Sequence, residues 1–248
     1  MDLNEVLELD LVPGAVLRPV KSDLRVGLVG AGRIVHGEIM PAYRALQLEP
    51  VAACDPDESA REMMRDRWGV ENVFEDYRAM IESADLDVVD INMAWEGDLS
   101  VTRVEVVEYA AAEGIHVFIA KPLAETWEQC TQIVEAAVRG KVKFAMDLNT
   151  RYAPSIFGCR KLISSGALGE LISASVDYHS GIGRQHTNAF DAVHDNCVHG
   201  IDILLSWFEE VPISVFGNRS RQVGHKLAPY RQDCVGLGPL AELFSARS

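Results

Sequence analysis

Leu24 to Val29 is a short apolar run that breaks directly into Gly30-Ala31-Gly32. No other feature of the chain narrows its fold as much. A run of this length, rich in Val and Leu, reads as a buried strand. The two glycines allow a tight turn and a close approach of backbone to ligand. A helix is expected next, over about 34–46, with first-turn N–H groups that have no partner inside the helix and a dipole that is positive at that end. Strand, turn and helix start together make a cradle for a pyrophosphate, with Gly30, Gly32, Arg33 and Ile34 as the expected contacts. The third glycine position of G-x-G-x-x-G is Val35, so the fingerprint is incomplete.

The next apolar run, Val51-Ala52-Ala53-Cys54, ends in Asp55, twenty residues past Val35. A carboxylate at that spacing accepts hydrogen bonds from the adenosine ribose hydroxyls. It also repels a 2′-phosphate, and Pro56-Asp57-Glu58 adds two more acids, so NAD is expected over NADP. Arg33 can still reach the adenosine side. Asp55 fits equally as the cap of a helix starting near Glu58, and one residue can do both.

From Leu24 onward, strand and helix patterns alternate. Apolar runs fall at 24–29, 51–54, 86–91, 115–119 and 142–146, with helical patterns at 34–46, 57–68, 76–83, 99–113 and 126–139. Such alternation implies right-handed crossovers and a doubly wound parallel sheet. Gly114 and Gly140 are expected to cap two of the helices. The expected division is an arm over 1–23, a dinucleotide-binding Rossmann domain over 24–148, and an α+β domain over 149–248 with an open, mainly antiparallel or mixed sheet. In that last part a helix is expected near 153–165, a strand over 170–179, a helix over 192–208 and a strand over 213–217.

The net charge of −14, from 23 basic and 37 acidic residues, argues against nucleic acid and anionic membrane surfaces as partners. No apolar run approaches the ~20 residues that span a bilayer. The first residues carry Asp2, Glu5, Glu8 and Asp10, unlike a secretory leader. Cysteines 54, 130, 159, 197 and 234 are scattered and odd in number, as expected of reduced thiols in a cytoplasmic protein.

Two places carry chemistry. Lys121 follows the strand Val117-Phe118-Ile119 and precedes Pro122, so it sits at the carboxyl edge of the sheet, where a lysine can stabilise a developing alkoxide. On a helix, Asp195, His199 and Asp202 share one face, and a histidine beside a carboxylate is suited to proton transfer near neutrality. Asp202, among Ile201, Leu204 and Leu205, reads as structural. A rival reading gathers His179, His186, His194 and His199 with Asp191 and Asp195 around a metal, but their spacing matches no zinc signature.

The glycine turn, the strand-end Lys-Pro and the D-x-x-x-H helix together resemble the glucose–fructose oxidoreductase / inositol dehydrogenase / MocA family. So do the phrases Cys54-Asp55-Pro56-Asp57, Ala120-Lys121-Pro122-Leu123-Ala124 and Ile163-Ser164-Ser165-Gly166-Ala167-Leu168-Gly169-Glu170. The resemblance runs from about Leu24 to Gly217. It implies NAD(P)-dependent hydride transfer to or from a secondary alcohol of a sugar, cyclitol or related polyol. By position, Lys121, Asp195 and His199 match the family's lysine, aspartate and histidine. His199 would then be the general base, Lys121 would polarise the substrate oxygen, and Asp195 would orient substrate or histidine. Asn149, Arg151, Tyr152, Tyr178, His179 and Arg184 are the expected substrate contacts.

The departures are specific. The glutamate before the lysine is Ala120, and the family's Thr-Pro-Asn-x-x-His loop reads Met93-Ala94-Trp95-Glu96-Gly97-Asp98. The second domain is shorter than the family's, which leads to two expectations: a shortened member that associates with copies of itself to cover its sheet, or, as the alternative, a non-catalytic dinucleotide-binding or partner-binding protein with an eroded site.

Overall fold

The computed structural model describes residues 23–177 and 197–216. They divide after Asp147 into two compact units.

The first unit is a six-stranded parallel sheet in the order β3-β2-β1-β4-β5-β6. Its strands are β1 (Val26–Val29), β2 (Ala52–Cys54), β3 (Asn72–Phe74), β4 (Val88–Ile91), β5 (His116–Ala120) and β6 (Phe144–Asp147). The helices between them are α1 (Met40–Ala45, entered through a π-helical turn over Val35–Ile39), α2 (Glu58–Trp68), α3 (Tyr77–Ser83), α4 (Asp98–Ala112) and α5 (Trp127–Gly140). Parallel strands buried on both faces need apolar side chains on both. One core accordingly holds Val29, Ile91, Ile119 and Ile133, and the other Val26, Leu28, Val35 and Met64. β1 pairs with β2 on one side and with β4 on the other, with Val29 opposite both Cys54 and Ile91. The strand order therefore reverses beside the glycine turn, which is where open α/β sheets take their ligands.

The doubly wound parallel sheet is the expected one. β3 is an addition, because Asn72-Val73-Phe74 is only three residues long and partly exposed, which gives no apolar run to read. Two expected caps are corrected. Asp57, not Asp55, caps α2, its side chain accepting from Ser59 N–H. After α5 the left-handed cap is Lys141, with φ of 53°, whereas Gly140 is the last helical residue. Gly140 serves packing instead: a Cβ there would lie 2.9 Å from the Ala111 carbonyl carbon, so its absence lets α5 close on α4.

The second unit contains a 3₁₀ turn (Asn149–Tyr152), α6 (Pro154–Ser164) and α7 (Val198–Phe208). The expected strands over 170–179 and 213–217 do not form among the described residues, where 171–177 and 213–216 have no strand partner. A strand exists only with a neighbour to take its backbone groups, and no described segment of this unit supplies one. Residues 178, 179 and 217 lie outside the described residues.

Candidate functional site

At the head of β1, Gly30 has φ of +88°, a conformation open to glycine but strained for other residues. It is also wedged: a Cβ would lie 3.0 Å from the backbone of both Asn92 and Met93. Hydrogen bonds hold the wedge on both sides, Gly30 N–H donating to Cys54 O at 2.9 Å and Asn92 N–H to Val29 O at 2.7 Å. Gly32 differs, since a Cβ there would meet no atom within 4 Å. The turn is thus closed by protein at Gly30 and open at Gly32. No side chain caps the helix start that follows, where Arg33 and Ile34 are exposed. The cradle residues fit a dinucleotide pyrophosphate on this geometry.

Asp55 closes the cradle from the end of β2. Its Oδ2 accepts from Ala31 N–H at 2.7 Å and its Oδ1 from Asp57 N–H at 2.9 Å. Arg61 pins the same loop, donating to Asp55 O at 2.6 Å and Pro56 O at 2.9 Å and pairing with Glu58. The segment thus presents acidic side chains, while Arg61 is engaged by the loop backbone and by Glu58, which also pairs with Arg65. That suits two ribose hydroxyls better than a phosphate.

Val35, in the third glycine position, is fully buried, and the π-helical turn opens at it. A π turn takes one more residue than an α turn, so the helix widens where the bulkier side chain enters the core. Next to it, His36 is buried and its Nδ1 accepts from Trp68 Nε1–H at 3.0 Å. Burial lowers its pKa below the ordinary histidine value.

Below the cradle, in mid-strand, lies Asp90 of β4, buried at 2 % exposure. It accepts from Tyr43 O–H and from Asn92 Nδ2–H, both at 2.8 Å. Burial pushes its carboxyl up to about 6, outweighing those hydrogen bonds, and the charge of Asp147 pushes the same way.

Lys121 is half-buried at the carboxyl end of β5, where its peptide bond to Pro122 is cis. Beneath this turn is Arg103 of α4, with no exposed surface. Its Nη2 donates to Ala120 O at 2.9 Å, and its Nη1 donates to Leu123 O at 3.1 Å and also to Pro122 O. One turn earlier, Ser100 accepts from Glu125 N–H at 3.0 Å and donates to Gln129 at 2.7 Å. Glu125 in turn accepts from Gly97 N–H at 2.9 Å. The motif reading does not reveal Asp90 or Arg103, but two signals were available. Asp90 is a charge inside the apolar strand Val88-Val89-Asp90-Ile91. Arg103 falls on the helical face shared by Ser100, Val104, Val107, Ala110 and Ala111, all of them buried.

In the second unit, Asp202 is buried and forms a two-point pair with Arg151, Nε donating to Oδ2 at 2.6 Å and Nη2 to Oδ1. The pair raises the arginine's pKa above its ordinary value. This pair holds α7 to the 3₁₀ turn, which accords with the structural reading of Asp202, and it engages Arg151, one of the expected substrate contacts. His199 is half-buried in the first turn of α7. Asp195 lies outside the described residues, as do Tyr178, His179, Arg184, His186, Asp191 and His194. Lys121 and His199 belong to different units. Among the described residues, no helix is long and apolar enough to cross a membrane.

Residues 24–148 match the model of an oxidoreductase family with an NAD-binding Rossmann fold. The chain is 28% identical over 210 residues to an inositol 2-dehydrogenase of Acidothermus cellulolyticus, covering 82% of this chain and 60% of the relative. It is 32% identical over 160 residues to a levoglucosan dehydrogenase of Pseudarthrobacter phenanthrenivorans, covering 61% of this chain and 40% of that one. Its fold is similar to that of a Lactobacillus casei scyllo-inositol dehydrogenase with bound NAD(H) and scyllo-inositol. That match has a TM-score of 0.66 at 23% identity and covers 79% of this chain and 60% of the other. The chain spans about half the length of the curated relatives it matches.

Proposed function

The chain belongs to the oxidoreductase family with an NAD-binding Rossmann fold, and from that premise we propose that it moves a hydride between a nicotinamide dinucleotide and a secondary alcohol of a sugar, cyclitol or related polyol. The observation that carries this reading is the cradle at the strand reversal, closed at Gly30, open at Gly32 and braced by the Asp55 carboxylate on Ala31 N–H. The relatives named inositol 2-dehydrogenase and levoglucosan dehydrogenase support the substrate class.

In this reading Gly30, Gly32, Arg33 and Ile34 hold the pyrophosphate, and Asp55 takes the adenosine ribose and favours NAD over NADP. Bound NAD supplies the hydride acceptor for alcohol oxidation. Lys121, at the same edge of the sheet, polarises the substrate oxygen. His199 takes the hydroxyl proton, and Asp195 orients the substrate or that histidine. Residues 24–148 form the dinucleotide unit, 1–23 an arm, and 149–248 the substrate and self-association unit.

Titration with NADH and NADPH, read by energy transfer from the four tryptophans, tests the proposal. Saturable binding that prefers NADH is expected, and binding of neither would overturn it. With a turned-over polyol, His199→Ala should cost about 10²–10⁴ in kcat while leaving NADH affinity unchanged. Near-normal turnover would remove His199 as the base.

A further inference from the structure

We propose that Arg103 is a positioning residue for Lys121, setting where that lysine stands at the carboxyl edge of the sheet. The inference rests on the reading of Lys121 as the group that polarises the substrate oxygen.

Burying a guanidinium carries a large desolvation cost. Arg103 has no exposed surface, and among the described residues no carboxylate pairs with it. Burial lowers its pKa to about 10, and its charge is met by carbonyl oxygens. An apolar side chain of similar volume would fill the space under α4 without that desolvation penalty. What the arginine adds is geometry. A planar fork with fixed donor directions reaches several acceptors at once, which a lysine ammonium or an amide does less well.

The acceptors are Ala120 O on one side of Lys121, and Pro122 O and Leu123 O on the other. The fork therefore brackets the backbone of one residue. Residue 120 has only a methyl side chain, so it takes part in this arrangement through its carbonyl alone. The neighbouring Ser100 and Gly97 contacts hold Glu125, farther along the loop, and Gln129 in the first turn of α5, and would fasten the segment without Arg103. Arg103 thus anchors the backbone on both sides of the lysine, apart from the anchoring of the segment at Glu125.

Arg103→Lys keeps the charge but loses the fork. In the full chain it should retain the native circular dichroism spectrum and NADH affinity within about twofold. Its kcat should fall about 10- to 100-fold, the size expected when a reacting group is displaced by an ångström. The loss should vanish in a Lys121→Met background if Arg103 acts through that lysine. A second readout needs no turnover. After reductive ¹³C-methylation, the Lys121 resonance, assigned by its loss in Lys121→Met, should shift in Arg103→Lys, with those of Lys141, Lys143 and Lys161 unmoved.

An unmoved Lys121 resonance, or equal losses in both backgrounds, would overturn the proposal. If Arg103→Lys does not fold, Arg103→Gln replaces it, and failure of both variants to fold would assign Arg103 to the fold alone. A moved resonance with full turnover in Lys121→Met would uphold the positioning and refute the catalytic reading of the lysine, so the two failures are distinguishable.

Discussion

Gly30 and Gly32 stand two residues apart and are glycines for different reasons. At Gly30 a methyl would meet backbone, and the positive φ is already unfavourable for a side chain, so Gly30→Ala should cost about 1–3 kcal/mol in urea unfolding. At Gly32 a methyl would enter open space, so Gly32→Ala should leave the unfolding curve in place and weaken NADH binding by about tenfold, 1.4 kcal/mol. Equal effects in both assays would mean the turn has one role. Asp90 sets a different test. Its carboxyl is raised in the folded state from 3.8 to about 6. The folded chain therefore holds a proton there that the unfolded chain has released between those values. Stability from this group is complete below about pH 4 and is lost as pH rises through 6, a difference of about 2–3 kcal/mol. Asp90→Asn should flatten that part of the stability profile and stabilise the protein at pH 8. An unchanged slope would place its source elsewhere. Gly30, Gly32 and Asp55 could be read in the sequence because their spacing is local. Asp90 has one local partner in Asn92, but Tyr43 comes from α1, and the carbonyls that meet Arg103 come from the end of β5 and the turn after it, so no single stretch displays them.

The elements of the first unit were largely legible because each carries its own period. α5 shows its apolar positions on one face, and the strands are mostly short apolar runs between breakers. Helix ends were less so. Asp57 and Asp55 are both acids before the same helix, and only the hydrogen bond from Ser59 N–H distinguishes the cap. Gly140 looked like a cap because glycine often is one, but its constraint lies on a neighbouring helix. Gly140→Ala should force α5 away from Ala111 and cost about 1–3 kcal/mol, the usual range for overpacking. Gly114→Ala should act through its φ of +75° alone, with nothing within 4 Å of the added carbon. Because the added carbon at 140 meets the Ala111 backbone carbonyl, Ala111→Gly should restore little of the stability lost in Gly140→Ala.

For the whole molecule, the surplus of acid governs behaviour that no single contact explains. A net charge of −14 repels itself most in the compact state. Salt at about 0.1 M shortens the reach of that repulsion to about 10 Å. The melting temperature should therefore rise by a few degrees between 10 and 150 mM sodium chloride, by about 2–4 °C per kcal/mol recovered. A fall would mean that ion pairs such as Arg78–Glu105 and Arg139–Glu108 matter more than the repulsion. The order in which the parts are made is also constrained. The wall that wedges Gly30 comes from Asn92 and Met93, some sixty residues downstream of it. A ribosome that has released only the first helix has written the glycine turn without its wall. A nascent chain gains a finished cradle only when β4 has emerged and slotted in beside β1, so dinucleotide capture during synthesis must wait for the middle of the chain.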